Sequence, residues 1–217
     1  MEIIVQGKGV KFVTPDEVVM MLTFTTKGCS YEEVLNLGTR NVQSFVDNLL
    51  IPNGFSKEDM KTRNFVIKEE TKYNGVTQSY DFDGYSFNQY AVIKFDYDIN
   101  KMAKMMEEIS KLDNPPKYQV NFGVKDEKSC RREILFAAYK DAEEQAKTIA
   151  DASGKILKRC VKVDFKPLTT EYASISTFNS DMMYEAARLG AAQVIVNTFT
   201  PEDIELTETL YCLWIAE

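Results

Sequence analysis

Two hydrophobic periods alternate along this chain, and their order restricts its fold more than any other feature. In residues 18–26 every second residue is apolar, as in a half-buried strand. In residues 30–50 the apolar residues recur every three to four positions, as on one face of a helix. The whole order is strand-strand-helix-strand-strand-helix-strand-helix, followed by three strands. Because pairs of strands separate the helices, we expect an α+β fold with antiparallel sheets.

Three helices are predicted, two long and one short. The first begins with a capping box formed by Ser30 and Glu33. The short helix is capped by Asn100, and the longest begins at Asp126 and ends before Gly154. The longest helix is predicted to turn an apolar stripe inward, made of Ile134, Leu135, Ala138, Ala142, Ile149 and Ala152, with Ala146 on its margin.

The two ends of the chain carry similar strand-turn-strand patterns. A Thr-Pro turn separates residues 3–12 from residues 18–26, and a second one separates residues 194–199 from residues 204–215. We therefore predict an N-terminal and a C-terminal hairpin and expect both to lie in the same antiparallel sheet.

The length of 217 residues suits one large domain or two small ones. We predict a single α+β domain over residues 1–217 and leave a two-lobed organisation open. Residues 167–192 lose the hydrophobic period and are predicted to form a long loop or arm. Long loops inside a domain are often functional or mobile.

Composition excludes several classes of site. The chain has no histidine, so it lacks the commonest general base and metal ligand and cannot build a Ser-His or Cys-His nucleophile. Its formal net charge is −7, which disfavours nucleic acid because phosphate contacts need clustered lysines and arginines. We expect no nucleic-acid partner.

Three short motifs resemble fragments of ligand sites. The Gly-x-Gly at residues 7–9 lacks the third glycine and the helix of a dinucleotide fingerprint, so it predicts a glycine-bent strand. The Asp-x-Asp-Gly at residues 81–84 lacks the last ligand of a calcium loop and favours a hairpin turn. The glutamates at residues 69–70 point to opposite faces of a strand and cannot converge. The sequence therefore predicts no catalytic residue, no cofactor and no metal site.

The four cysteines fit neither a zinc-binding nor a thioredoxin-like spacing. They are Cys29, Cys130, Cys160 and Cys212. We predict reduced thiols, most of them filling the core. The first residues carry no basic leader, and no window approaches the ~18–20 apolar residues of a membrane span. We expect a cytoplasmic protein without a membrane span.

Exposed aromatic residues are the strongest candidates for a functional surface. Tyr80, Phe82, Tyr85 and Phe87 lie at the end of a predicted hairpin, where one hairpin has too little apolar surface to bury them all. Phe136 falls on the charged side of the longest helix. These five residues predict an interface in a homo-oligomer, with ordinary hairpin packing, or a place under a loop for Phe136, as the alternative.

Several motifs, taken in order, resemble the SIMPL-domain (DUF541) family over nearly the whole chain. They are Ile4-Val5-x-Gly7-x-Gly9 with Pro15-Asp16, Asp59-x-Lys61-Thr62 with Phe65-x-Ile67, Tyr80 with Gly84-Tyr85, the row Ala138-Ala142-Ala146-Ala150 before Gly154, and Phe199-x-Pro201-x-x-Ile204. The resemblance implies an α+β fold and no established enzymatic activity, and it supplies no catalytic residue. The family includes periplasmic proteins linked to oxidative stress, an outer-membrane immunogenic protein that forms large hollow oligomers, and a eukaryotic protein that associates with a signalling kinase.

Three functions are compatible with these features. The first hypothesis is a non-enzymatic, self-assembling SIMPL-like protein, acting as a scaffold or in a stress response. The second is a module that binds a small ligand or a protein partner through residues 167–192. The third is an enzyme that uses carboxylates or a thiol, for which an accessible Cys29 is the best nucleophile.

Overall fold

The computed structural model describes residues 1–166 and 200–217, which form seven strands and three helices. The strands are β1 (Glu2–Val13), β2 (Glu17–Gly28), β3 (Met60–Asn74), β4 (Ser79–Asp96), β5 (Lys117–Gly123), β6 (Leu157–Asp164) and β7 (Ile204–Ala216). The helices are α1 (Tyr31–Phe45), α2 (Ile99–Ser110) and α3 (Glu127–Ala152). All strand pairs are antiparallel, which confirms the predicted α+β class.

The described residues divide into two compact units. The terminal unit contains Met1–Pro15, residues 124–166 and Glu202–Glu217, and thus β1, α3, β6 and β7. The central unit contains Asp16–Gly123 and so holds the other strands and helices. The predicted arm and the predicted strand at residues 194–199 lie outside the described residues.

In the terminal unit, α3 packs on one face of a three-stranded sheet with the order β1-β7-β6. The first and last strands share this sheet, as predicted. The predicted N-terminal hairpin is wrong, because β1 pairs with β7 along its whole length while β2 belongs to the other sheet. The Thr-Pro turn between β1 and β2 determines a local change of chain direction, but it does not determine which strand each of them pairs with.

The buried row of α3 differs from the predicted stripe. Its members recur at every fourth position: Cys130, Ile134, Ala138, Ala142, Ala146 and Ala150. Ala146 is fully buried, whereas Ile149 and Ala152 are exposed. A row at spacing four is inclined by about 26° to the helix axis, so a helix lying across a twisted sheet can bury that row instead of a straight 3.6-residue stripe.

Glycine in β1 lets this helix approach the sheet closely. A Cβ on Gly7 would lie 2.0 Å from the carbonyl oxygen of Ala138, and one on Gly9 would lie 2.0 Å from that of Ile134. The strand is continuous through both residues. The Gly-x-Gly motif therefore serves close helix–sheet packing within a continuous strand.

In the central unit, α1 and α2 cover one face of a four-stranded sheet with the order β3-β4-β2-β5. Ser30 caps α1 by accepting from the Glu33 backbone, as predicted, and Asp98 rather than Asn100 caps α2. A π-helical turn, Val46–Leu50, continues α1. The core is formed by the even residues of β2, the odd residues of β4 and the inner faces of the helices.

Candidate functional site

Strands β3 and β4 extend beyond the rest of the central sheet as a two-stranded arm. Strand β2 ends at Gly28, which is opposite Tyr85, so residues 79–84 of β4 pair only with β3 within the described chain. We call residues 70–84 the aromatic arm. Isolated two-stranded hairpins are marginally stable in water, so such an arm needs additional contacts to be fixed in place.

The turn of the arm is at Asn74–Gln78 and not at residues 81–84, where the sequence predicted it. The Asn74 side chain accepts hydrogen bonds from the Val76 and Thr77 backbones at 3.0 and 3.4 Å, and this local turn outweighs the Asp-Gly signal. Gly84 instead lies within β4 with φ of 101°, and a Cβ there would lie 2.5 Å from the Gly28 carbonyl oxygen. Glycine at this position therefore permits the arm to leave the sheet edge.

Three aromatic rings of the arm are exposed. Tyr80 is 72% exposed and Phe82 is 58% exposed, and Tyr73 faces Tyr80 across the hairpin. The rings form edge-to-face pairs, with 5.3 Å between the Tyr73 and Tyr80 centroids and 5.3 Å between the Phe82 and Tyr85 centroids. Tyr85 is half-buried at the base of the arm. The arm therefore presents paired aromatic rings to solvent.

The five predicted interface residues belong to both units, four to the central unit and Phe136 to the terminal unit. Tyr80 and Phe82 lie on the arm, and Tyr85 packs against Phe82 from the base of the arm. Phe87 is only 1% exposed, because α1 has Gly38 above its ring, and its predicted place in an exposed surface is wrong. Phe136 lies on α3 in the terminal unit and is 67% exposed. Tyr73 was outside the predicted set, although its position opposite Tyr80 could have indicated it once the hairpin register was known.

A polar cluster fixes the base of the arm. The Ser86 hydroxyl, which is buried, donates to Glu70 Oε1 at 2.5 Å, and Lys68 Nζ lies 3.2 Å from the same oxygen. The hydrogen bonds from Ser86 and then from Lys68 lower the pKa of the Glu70 carboxyl below its ordinary value. Glu70 therefore stays ionised as a structural acceptor, and it does not pair with Glu69 for acid–base chemistry.

An open groove of about 270 Å³ crosses the outer face of the central sheet, opposite the helices. Every strand of the sheet contributes to it: Met21, Leu22, Thr23, Arg63, Tyr90, Ala91, Val92, Lys117, Tyr118 and Gln119. Within residues 1–166 and 200–217, neither Arg63 nor Lys117 forms an ion pair or a side-chain hydrogen bond. The groove thus combines an apolar floor with a cation from each edge strand.

All four cysteines are free thiols. Cys29 is exposed, and its backbone N–H donates to Glu33 at 2.8 Å, while Cys130 and Cys212 are buried. Burial, followed by the neighbouring Cys160, raises the pKa of the Cys212 thiol to about 11. Among the described residues, no three His, Cys, Asp or Glu side chains are grouped so that they could hold a metal ion. No helix in the described part of the chain is both long and apolar enough to cross a membrane.

A protein-family model matches this chain. The model of the SIMPL family, described as a protein of unknown function (DUF541), matches residues 3–212, which is nearly the whole chain. A search of curated proteins finds no match. The matched range includes the aromatic arm, α3, and most of β1 and β7.

Proposed function

The chain belongs to the SIMPL family of unknown function, and we propose that it is a non-enzymatic protein that self-assembles through its aromatic arm. The observation that carries this proposal is the set of exposed, edge-to-face paired rings on a two-stranded extension. Aromatic rings are enriched in protein interfaces, and an arm without a covering partner leaves them in water.

The area of the arm indicates what else the interface needs. An aromatic side chain offers ~150–250 Å², so three rings exposed by half or more supply roughly 300–400 Å² per copy. A stable interface buries about 800 Å² per partner. The arm alone therefore provides about half of an interface, and a neighbouring surface must supply the rest.

The outer edge of β3 is the neighbouring surface that favours a second copy of the chain. Within the described residues, β3 has β4 on one side and no strand on the other, which leaves those backbone groups of Met60–Asn74 that point away from β4 available for pairing. The strand carries both charge signs, with Lys68 and Lys72 near Glu69 and Glu70, so an antiparallel copy can oppose unlike charges. A two-fold pairing of β3 with itself would place both aromatic arms beside the new sheet.

The non-enzymatic part of the proposal is supported by the state of the candidate reactive groups. Glu70 is held ionised by Ser86 at the base of the arm, and the Cys212 thiol is buried with a raised pKa. Near neutral pH, Glu70 is ionised and has no proton to donate, and Cys212 keeps its proton and is a thiol, not an activated thiolate.

Phe136 supports a second contact on the terminal unit. Its ring is 67% exposed on a helix whose opposite side is buried on the sheet. Two separate contact surfaces on one chain can extend a dimer into a larger closed assembly. We expect Phe136→Ser to reduce the size of the assembly while leaving the arm contact intact.

Light scattering coupled to size-exclusion chromatography tests the proposal. We expect the full chain at micromolar concentration to have a mass that is a multiple of 24.8 kDa. The double variant Tyr80→Ser/Phe82→Ser should shift to lower mass, whereas Phe12→Ser, which removes an equally exposed ring from β1, should not. A wild-type monomer, or equal losses in both variants, would contradict the arm as the contact.

A second candidate function, binding of a small anion with an apolar body, is favoured by the groove. Arg63 and Lys117 would attract its charge, and Met21, Tyr90 and Val92 would contact its body. The fluorescent probe 1-anilinonaphthalene-8-sulfonate has this chemistry. We expect Arg63→Gln/Lys117→Gln to weaken probe binding by about tenfold or more, whereas Lys94→Gln, on the same face beside Glu17, should not change it. Equal binding by all three proteins would exclude the groove.

A further inference from the structure

Two of the four cysteines lie together in the terminal unit. Cys160 on β6 is opposite Trp214 on β7, and Cys212 is two residues further along β7 on the same face. Cys212 and Trp214 belong to the core beneath α3, and Cys160 packs against that core. The strand register thus places both sulfur atoms on the helix-facing side of neighbouring strands.

The two cysteines are diagonal neighbours on adjacent strands, and Cys160 lies close enough to contribute, after burial, to the raised pKa of Cys212. Cys160 Sγ donates to the Lys162 carbonyl oxygen at 3.3 Å. Cys160 is half-buried while Cys212 is fully buried, so a small solute can reach the first thiol before the second. The pair therefore combines a half-buried cysteine with a fully buried one on the neighbouring strand.

We propose that Cys160 and Cys212 form an oxidative modification site, at which a peroxide converts the two thiols into an intramolecular disulfide. The thiolate of Cys160 attacks one peroxide oxygen, so that an S–O bond forms, the O–O bond breaks and water leaves after protonation. The Cys212 sulfur then attacks the Cys160 sulfur, an S–S bond forms and the S–O bond breaks. The Cys212 proton combines with the departing hydroxide as a second water. Each sulfur loses one electron and the peroxide gains two.

The surroundings of the pair suit both steps. A disulfide needs an S–S distance of about 2.05 Å, so the strands must adjust to bring the two sulfur atoms of these diagonal neighbours together. Strand β6 can do so, because it contains two register shifts, at Leu157/Arg159 and Cys160/Lys162, and because β7 is its one strand neighbour within the described residues. A rigid central strand would resist this adjustment.

Trp214 supplies an independent observation at the same place. Its indole N–H is buried and has no acceptor among the described residues, and the residue directly opposite is Cys160. An oxygen added to Cys160 in the sulfenic acid brings an acceptor into this environment. Trp214 is also the single tryptophan of the chain, so its fluorescence reports on oxidation at this site.

Mass spectrometry of the full-length chain tests the proposal. The reduced protein is treated with hydrogen peroxide, denatured without reductant, alkylated with iodoacetamide and digested. We expect two of the four thiols to become protected from alkylation and a Cys160–Cys212 linked peptide to appear, lighter than its parts by two hydrogen atoms. Trp214 fluorescence should change with the same time course and return after reduction.

Cysteine variants distinguish this pair from the other thiols. Cys160→Ser should abolish both the linked peptide and the reversible fluorescence change, whereas Cys29→Ser and Cys130→Ser should retain them. Cys160 is half-buried, so its serine variant keeps the test valid even if Cys212→Ser fails to fold. Four alkylated thiols after oxidation, a linked peptide with another cysteine, or Cys160 oxidised to sulfinic acid beside a free Cys212 would each overturn the proposal.

Discussion

At the residue scale, Gly7 and Gly9 show how a missing side chain determines packing. Both face α3, and a Cβ on either would overlap a helix carbonyl oxygen at 2.0 Å. Because the obstacle is backbone and not the end of a flexible side chain, either the strand or the helix would have to move. The alanine row of α3 is the other half of this contact, since small side chains let the helix come this close.

A single methyl group at Gly9 should therefore be costly. We expect Gly9→Ala to destabilise the protein by about 3 kcal/mol or more, measured by urea unfolding, because overpacking against backbone cannot be relieved by a rotamer change. Gly75→Ala is the matched control: a Cβ there meets no atom within 4 Å, so the change should stay within about 0.5 kcal/mol. Equal effects of the two substitutions would contradict this packing.

The hydrogen bond between Ser86 and Glu70 makes stability depend on pH at the base of the arm. The pKa of Glu70 is below its ordinary value of 4.5 in the folded protein, so the unfolded chain binds the proton more tightly. The bond therefore stabilises the fold above pH 4.5, and this contribution is lost as the pH falls through the lower folded value. We expect Ser86→Ala to lower the Tm more at pH 7 than at pH 3.

The double-mutant cycle with Glu70→Gln isolates this pair from other effects of the substitution. Removing Ser86 also leaves a small buried space, but that cost does not depend on pH. In the Glu70→Gln background, we expect Ser86→Ala to lower the Tm by the same amount at both pH values. If Ser86→Ala still lowers the Tm by a pH-dependent amount in the Glu70→Gln variant, the titrating group is not Glu70.

At the element scale, local signals predicted what local interactions decide. The cap of α1 by Ser30, the cap of α3 by Asp126 and the alternation of β2 all depend on residues within a few positions, and all are confirmed. The turn of the arm was misplaced because two local signals compete there. Asn74 binds its own turn and Gly84 is needed for close approach to Gly28, which the sequence around Asp83 does not reveal.

The inner row of α3 yields a prediction that separates the observed packing from the helical stripe expected from sequence. Ala146 is fully buried against the terminal sheet, whereas Ala152, which the stripe placed inward, is exposed. We expect Ala146→Leu to lower stability by about 1–3 kcal/mol in urea unfolding, because three extra carbon atoms must fit between helix and sheet. Ala152→Leu should change stability by less than about 0.5 kcal/mol. A larger loss of stability for Ala152→Leu than for Ala146→Leu would contradict the observed packing and favour the stripe expected from the sequence.

At the scale of the whole molecule, the sequence could not predict which strands meet. Strand β1 pairs with β7 at the opposite end of the chain, so no local pattern distinguishes this partner from β2. The similar Thr-Pro turns at the two ends indicated related geometry without indicating the pairing. The candidate surface was predictable in part. Tyr80 and Phe82 belong to a cluster of aromatic residues that is visible in the sequence, and both are exposed. The burial of Phe87 could not be predicted in this way, because it depends on Gly38, almost fifty residues away.

Self-assembly through the arm should make stability depend on protein concentration. A partner that binds the folded chain, and not the unfolded one, raises the Tm by mass action. We therefore expect the Tm of the wild-type protein, measured by calorimetry, to rise by several degrees between about 1 and 100 μM.

The Tyr80→Ser/Phe82→Ser variant should melt at one temperature throughout this range, because its arm lacks the rings that a second copy would cover. Phe12→Ser controls for the loss of an exposed ring and should keep the wild-type dependence. A wild-type Tm that does not depend on concentration would contradict self-assembly and show that the arm stays in water. In that case the rings stabilise the hairpin itself. Their removal should then lower the Tm equally at every concentration.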